Sequence, residues 1–203
     1  MASPPHPLLN RVNFLTLTIV FEGGLALAGW ILGWLAGVDP LAHLIFSWPA
    51  FGLAVVGTLP LMVLFWLSYR FPVGPLEPIK RFLIETLGPY LDTCRWYDLL
   101  LIALLAGICE ELFFRGFLQP WIESVGGTTL GLIGSNLIFA LAHFITHAYA
   151  LLAGLMGTYL GLLLDASGQR NLFIPMVVHT LYDFFALLIV ARTFRLKRTS
   201  RTL

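Results

Sequence analysis

A chain of 203 residues that is 58% hydrophobic and only 11% charged, with a mean hydropathy of +0.85, lies far from soluble proteins, in which about a quarter of residues are charged. These figures exclude an ordinary soluble domain and read as an integral membrane protein whose partner is the lipid bilayer. A net charge of +1 offers no basic patch for nucleic acid, and two cysteines, Cys94 and Cys109, form neither a disulfide framework nor a metal motif.

In chain order, the Pro-rich tail Met1 to Asn10 has no basic run before an apolar core, so no cleavable signal is expected and the first span is retained. Apolar segments long enough to cross a core of about 30 Å run roughly over 12–37, 46–69, 98–118, 129–147, 148–166 and 171–192. The expected fold is all-α: a polytopic transmembrane helical bundle of about six spans forming one integral membrane domain over 1–203. Its parts are two N-terminal spans (12–69), an interfacial helix (76–92) and a four-helix catalytic core (98–192). Only Thr146, His147 and Tyr149 separate the fourth and fifth spans.

The long connection Arg70 to Tyr97 carries Leu76, Ile79, Phe82, Leu83, Leu87, Tyr90 and Leu91 at helical spacing, interleaved with Glu77, Lys80, Arg81 and Glu85. That pattern predicts an amphipathic helix on the inner leaflet. With six spans, Arg11, Arg70, Lys80, Arg81, Arg95, Arg192, Arg195, Lys197, Arg198 and Arg201 share one side and Arg170 stands alone on the other, which predicts cytoplasmic termini. Gly131, Gly134 and Ser135 in the fourth span, and Gly154, Gly157 and Gly161 in the fifth, predict close helix approach. Pro60 and Pro175 are expected to kink or begin their helices.

Against this apolar background three polar insertions stand out. Residues 106–119, AGICEELFFRGFLQ, place Glu110, Glu111 and Arg115 in a span where each ionisable group is expensive and therefore needs a function. Glu111 and Arg115 lie four apart and share a helix face, whereas Glu110 is turned about 100° from Glu111 and stays free for acid–base work. Phe139 and His143 in FALAH, and His179 and Asp183 in HTLYD, repeat the four-residue spacing. At a rise of 1.5 Å per residue, Glu110 lies roughly 18 Å from the cytoplasmic side and His179 roughly 12 Å from the other, levels that coincide in a 30 Å core. One shared polar pocket is expected.

Taken together, EELFFR, FALAH and HTLYD resemble, in order, the EExxxR, FxxxH and His-initiated motifs of the CAAX-protease and bacteriocin-processing family (CPBP, also called Abi). The resemblance covers the amphipathic segment to the end of the sixth span. It implies an intramembrane endopeptidase of the glutamic type in which Glu110 and His143 hold and deprotonate the attacking water, Glu111 and Arg115 form a structural pair, and His179 with residue 183 stabilises the oxyanion. The family often has Asn at that last position; an ionised Asp cannot donate, and Asp183 is read instead as orienting His179 as an imidazolium donor. The implied substrate is a membrane-associated peptide or protein, with or without a lipid modification, in a prokaryotic inner or plasma membrane.

Other intramembrane proteases fit less well. HExxH is absent, Asp165 has no GxGD around it to partner Asp183, and Ser135 lacks the surroundings of an activated nucleophile. No cofactor is expected; the alternative is zinc held by Glu110, His143, His179 and Asp183, although no short motif fixes two ligands on one helix turn. A non-enzymatic scaffold or immunity protein would tolerate loss of Glu110.

Overall fold

The structure is a computed structural model that describes residues 10–201; the tail before Asn10 and the side chain of Arg201 lie outside the described residues. Every regular element among them is helical: α1 (Arg11–Ala36), α2 (Trp48–Arg70), α3 (Leu76–Phe82), α4 (Gly88–Thr93), α5 (Trp96–Glu111), α6 (Gln119–Ala142), α7 (His147–Leu163) and α8 (Phe173–Arg201). Local chemistry sets the boundaries. The Asn10 side chain accepts from the backbone of Val12 at 2.7 Å to open α1, and Gly37, at φ 70°, closes it in the left-handed region. Thr146 Oγ1 accepts from Tyr149 N to start α7, and Asn171 Oδ1 accepts from Phe173 N to start α8, with Pro175 in its first turn. Pro60 lies inside α2.

The all-α expectation holds. Helices α1, α2 and α8 are long and apolar enough to cross a membrane, and α7 is shorter but apolar. The other expected spans fall on α5 with its continuation and on the second half of α6. Three boundaries differ from the sequence reading. The connection expected after residue 118 is itself helical, and only Gly127, at φ 80°, interrupts α6. That helix ends at Ala142, so residues 143–146 form the turn placed further along by composition. Helix α8 runs well past residue 192.

The interfacial helix is also not one regular helix. A π-helical segment, Leu83–Leu87, joins α3 to α4, and a second, Leu112–Leu118, joins α5 to α6. Each ends just ahead of a proline: Gly88 N–H bonds Leu83 O before Pro89, and Gln119 N–H bonds Phe114 O before Pro120. A proline in regular α geometry lacks its N–H and presses on the carbonyl four residues back, and the wider turn relieves that clash.

Helix α5 is central, packed between α1 and α8, while α2 covers α8 and α7 lies on α6. The close approach comes from missing side chains. A Cβ on Gly107 would stand 2.7 Å from Thr180 N and 3.0 Å from Met176 O, so α5 meets α8 backbone to backbone one turn before Glu110. The expected glycines of the α6–α7 contact behave likewise, Gly154 against Ala140 and Gly161 against Leu132. At one end of the bundle Arg11 pairs with Asp98, and Arg195 and Arg198 with Asp92, gathering the start of α1, the α4–α5 corner and the end of α8. At the other end Arg170 bonds Asp165 and Glu123, which raise its pKa. Arg170 thus stands apart from Arg11, Arg195 and Arg198, and Asp165 is spoken for.

Candidate active site

Glu111 is fully enclosed and bonded through one oxygen, Oε1, while its Oε2 has no partner among the described residues. Its Oε1 accepts from Arg115 Nη1 at 2.8 Å, the pair expected from the four-residue spacing, and also meets His179 Nδ1 at 2.8 Å. A carboxylate oxygen only accepts, so Nδ1 is the donor and carries a hydrogen. Arg115 goes further, donating through Nη2 to Asn136 Oδ1 at 2.9 Å and to Gly157 O at 2.7 Å. One cation therefore ties α5, α6 and α7 together, and Glu111 adds α8. Gly157 must be glycine for this: a Cβ would lie 2.6 Å from Asn136 Oδ1 and 3.0 Å from Arg115 Nη2.

Phe139, 1% exposed, fills the space between the two motif helices. Arg115 stands 4.7 Å from its ring centroid, and the His143 ring stacks on it at 4.3 Å and 25°. His143 is the first residue beyond α6, and its Nδ1 lies 2.9 Å from Phe139 O. A carbonyl can only accept, so Nδ1 carries a hydrogen, and in the neutral ring Nε2 then presents its lone pair. That Nε2 faces Glu110 Oε2 at 3.7 Å.

Glu110 differs from its neighbour in sequence. It is 8% exposed, and its Oε2 is buried with no hydrogen-bond partner among the described residues. Glu110, His143, His179 and Asp183 all line one cavity of about 280 Å³, with His179 Nε2 3.5 Å from Asp183 Oδ2. The cavity runs on between apolar side chains of α2, α7 and α8 to the segment after α2, where Ile79, Lys80 and Leu83 line it. Among the described residues no three His, Cys, Asp or Glu side chains stand together as a group that could hold a metal.

The three motifs, more than 70 residues apart at their extremes, thus meet in one place. Residues 93–185, which contain all of them, match the family model described as Type II CAAX prenyl endopeptidase Rce1-like. The resemblance read from the motifs is shown over that segment. Comparison with curated proteins found no match, and neither did comparison with solved structures. The matched family is one of peptidases, and apolar helices long enough to cross a membrane fit it.

Sequence reading passed over several residues of this region. Asn136 sits next to the serine that drew attention, one helical turn before Phe139, and its spacing was a usable signal. Tyr149 and Tyr182 line the cavity beside His143 and Asp183. Glu22, 8% exposed on α1, is another buried carboxylate, and the rule that flagged Glu110 applies to it unchanged. Cys94 and Cys109 are free thiols, as expected, and burial raises the pKa of Cys94.

Proposed function

We propose that this chain is an intramembrane endopeptidase of the CAAX-protease type that hydrolyses a peptide bond of a membrane-associated substrate with a water activated by Glu110 and His143. The observation that carries the reading is the pairing of an unsatisfied carboxylate with an imidazole lone pair, 3.7 Å apart on a cavity wall. Two acceptors at that distance cannot bond each other. An oxygen about 2.8 Å from both can donate a hydrogen to each, which is the arrangement a nucleophilic water needs.

The reaction then follows by roles. The water oxygen attacks the carbonyl carbon as Glu110 takes its proton, and the developing oxyanion accepts a hydrogen bond from His179 Nε2. Glu111 on Nδ1 and Asp183 beside Nε2 hold that ring with both nitrogens protonated, so the donor does not depend on an amide at position 183. Collapse of the tetrahedral intermediate breaks the C–N bond, and the proton on Glu110 passes to the leaving amine. No cofactor enters this scheme. The apolar run of the cavity toward the interfacial segment suits an extended substrate held at the membrane surface, with a lipid anchor or without one. The protein would act in a prokaryotic inner or plasma membrane as a single integral domain, both termini cytoplasmic.

The test is cleavage of an internally quenched, farnesylated CAAX peptide by the purified protein in detergent, beside peptide-terminus profiling of membranes with and without it. Loss of both signals in Glu110→Gln is expected; near wild-type cleavage by that variant would defeat the proposal.

A further inference from the structure

Helix α1 faces the protein with an unusual stripe. Its only buried residues are Glu22, Gly29 and Gly33, so while Phe14, Leu25 and Ala26 pack half-buried against the core, the one fully buried side chain of this long helix is a carboxylate. The surrounding contacts place it. One turn on, Ala26 packs against the cluster of Leu112, Leu164, Leu172 and Met176 and Leu25 against that of Phe114, Phe117, Leu118 and Phe139, and a further turn on Gly29 sits against Phe113. Glu22 lies on a helix that packs against α5 and the Leu112–Leu118 segment and lines no part of the cavity, yet it is within electrostatic reach of Glu110, Cys109, His179 and Asp183.

A packing role does not account for it. Glu22 Oε2 is buried and no hydrogen bond or ion pair involves this side chain among the described residues, whereas Glu111, with its Oε2 also unpartnered, is held through Oε1 by Arg115 and His179. A carboxylate in an apolar bundle weakens the fold unless something compensates, and the cations nearby are committed: Arg115 and His179 both bind Glu111. The residue also lies outside the segment that matches the peptidase family, so it is not one of the motif positions.

Resting on the hydrolytic reading above, we infer that Glu22 is a positioning residue of the active site, a rear carboxylate that acts on Glu110 and His179 through its charge. A negative charge behind Glu110 strengthens its hold on the proton taken from water, and the same charge stabilises the protonated His179 ring that donates to the oxyanion. Glu22 touches no reacting atom. It serves catalysis at the expense of stability, a trade seen where active sites are strained.

Three variants decide this, measured by turnover of the farnesylated CAAX peptide and by thermal melting in detergent. Glu22→Gln and Glu22→Leu should lower kcat about tenfold or more with KM unchanged, while the melting temperature rises by roughly 2–4 °C as the unpartnered carboxylate disappears. Glu22→Asp, which keeps the charge, should recover part of the lost kcat. Turnover within twofold of wild type in Glu22→Gln overturns the inference, and so does a lower melting temperature in both neutral variants, which is the mark of a structural role. Glu110→Gln runs alongside: if it keeps its activity the hydrolytic reading fails as a whole, whereas an inactive Glu110→Gln beside a fully active Glu22→Gln refutes the role of Glu22 alone.

Discussion

Two clusters of polar residues sit side by side in this bundle and are built on opposite rules. Around Glu111 the polar groups bond across helices: Arg115 donates to Glu111, Asn136 and Gly157, and His179 closes the set, with Glu111 Oε2 and Arg115 Nε left without partners. Around Glu110 almost nothing is used, since its Oε2 and that of Glu22 have no partner and His143 Nε2 stands off at 3.7 Å. Both lie in the same apolar interior, where an unmade hydrogen bond to a charged group is expensive. The contrast separates what holds the helices from what is left free to react, although the two glutamates are neighbours in sequence.

The sharpest way to break that comparison is to exchange the roles. Glu110→Gln keeps shape and size, so turnover of the CAAX peptide should fall by about 10²–10⁴, the usual contribution of a positioned base. The melting temperature should not fall, and should rise as in Glu22→Gln, because the amide replaces a buried carboxylate that makes no hydrogen bond. Arg115→Gln and Glu111→Gln should do the reverse, each leaving a buried charge uncompensated at about 3–5 kcal/mol, with abundance and melting temperature falling along with activity. If detergent melts show Glu110→Gln to be the unstable one, the division is wrong.

This division was partly legible in the sequence. The i,i+4 spacings of Glu111 with Arg115, and of His179 with Asp183, could be read directly because helix geometry decides which side chains share a face. Counting rise per residue brought Glu110 and His179 to one level without knowledge of packing. What spacing could not give is the partner on another helix: Asn136, Gly157 O and the bond from His179 to Glu111 follow from how α5, α6, α7 and α8 pack. The π segments were hidden for a different reason. Pro89 and Pro120 are visible in the sequence, but a proline permits a break, a kink or a widened turn, and packing selects among them. Glu22 is different again: the same argument that singled out Glu110 covers it, and it was missed beside a stronger motif.

A milder perturbation sharpens the comparison from the supporting side. Gly157→Ala places a methyl against Asn136 Oδ1 and Arg115 Nη2 without removing any charge. Overpacking of this kind amounts to about 1–3 kcal/mol, so the melting temperature should drop by less than in Arg115→Gln. If the network is only a support, kcat should fall modestly with it; an unaltered melt together with a large loss of turnover would place Arg115 among the reacting groups instead.

The smallest expected effect carries the alternative that could erase the comparison. An unsatisfied carboxylate at Glu110 beside the His143 lone pair, with His179 and Asp183 on the same cavity, is also what the ligands of an ion look like, so a zinc bound there would turn the under-used cluster into a fully used one. The donors do not favour it. His179 Nδ1 is committed to Glu111, His143 Nδ1 to Phe139 O, and no triad of donors converges among the described residues. Chelator treatment should therefore leave cleavage and the melting curve unchanged, and elemental analysis of active protein should find no stoichiometric metal. One tightly bound zinc per chain, whose removal abolishes cleavage and whose return restores it, would make Glu110 a ligand and move the proton transfers to the water it shares with the metal.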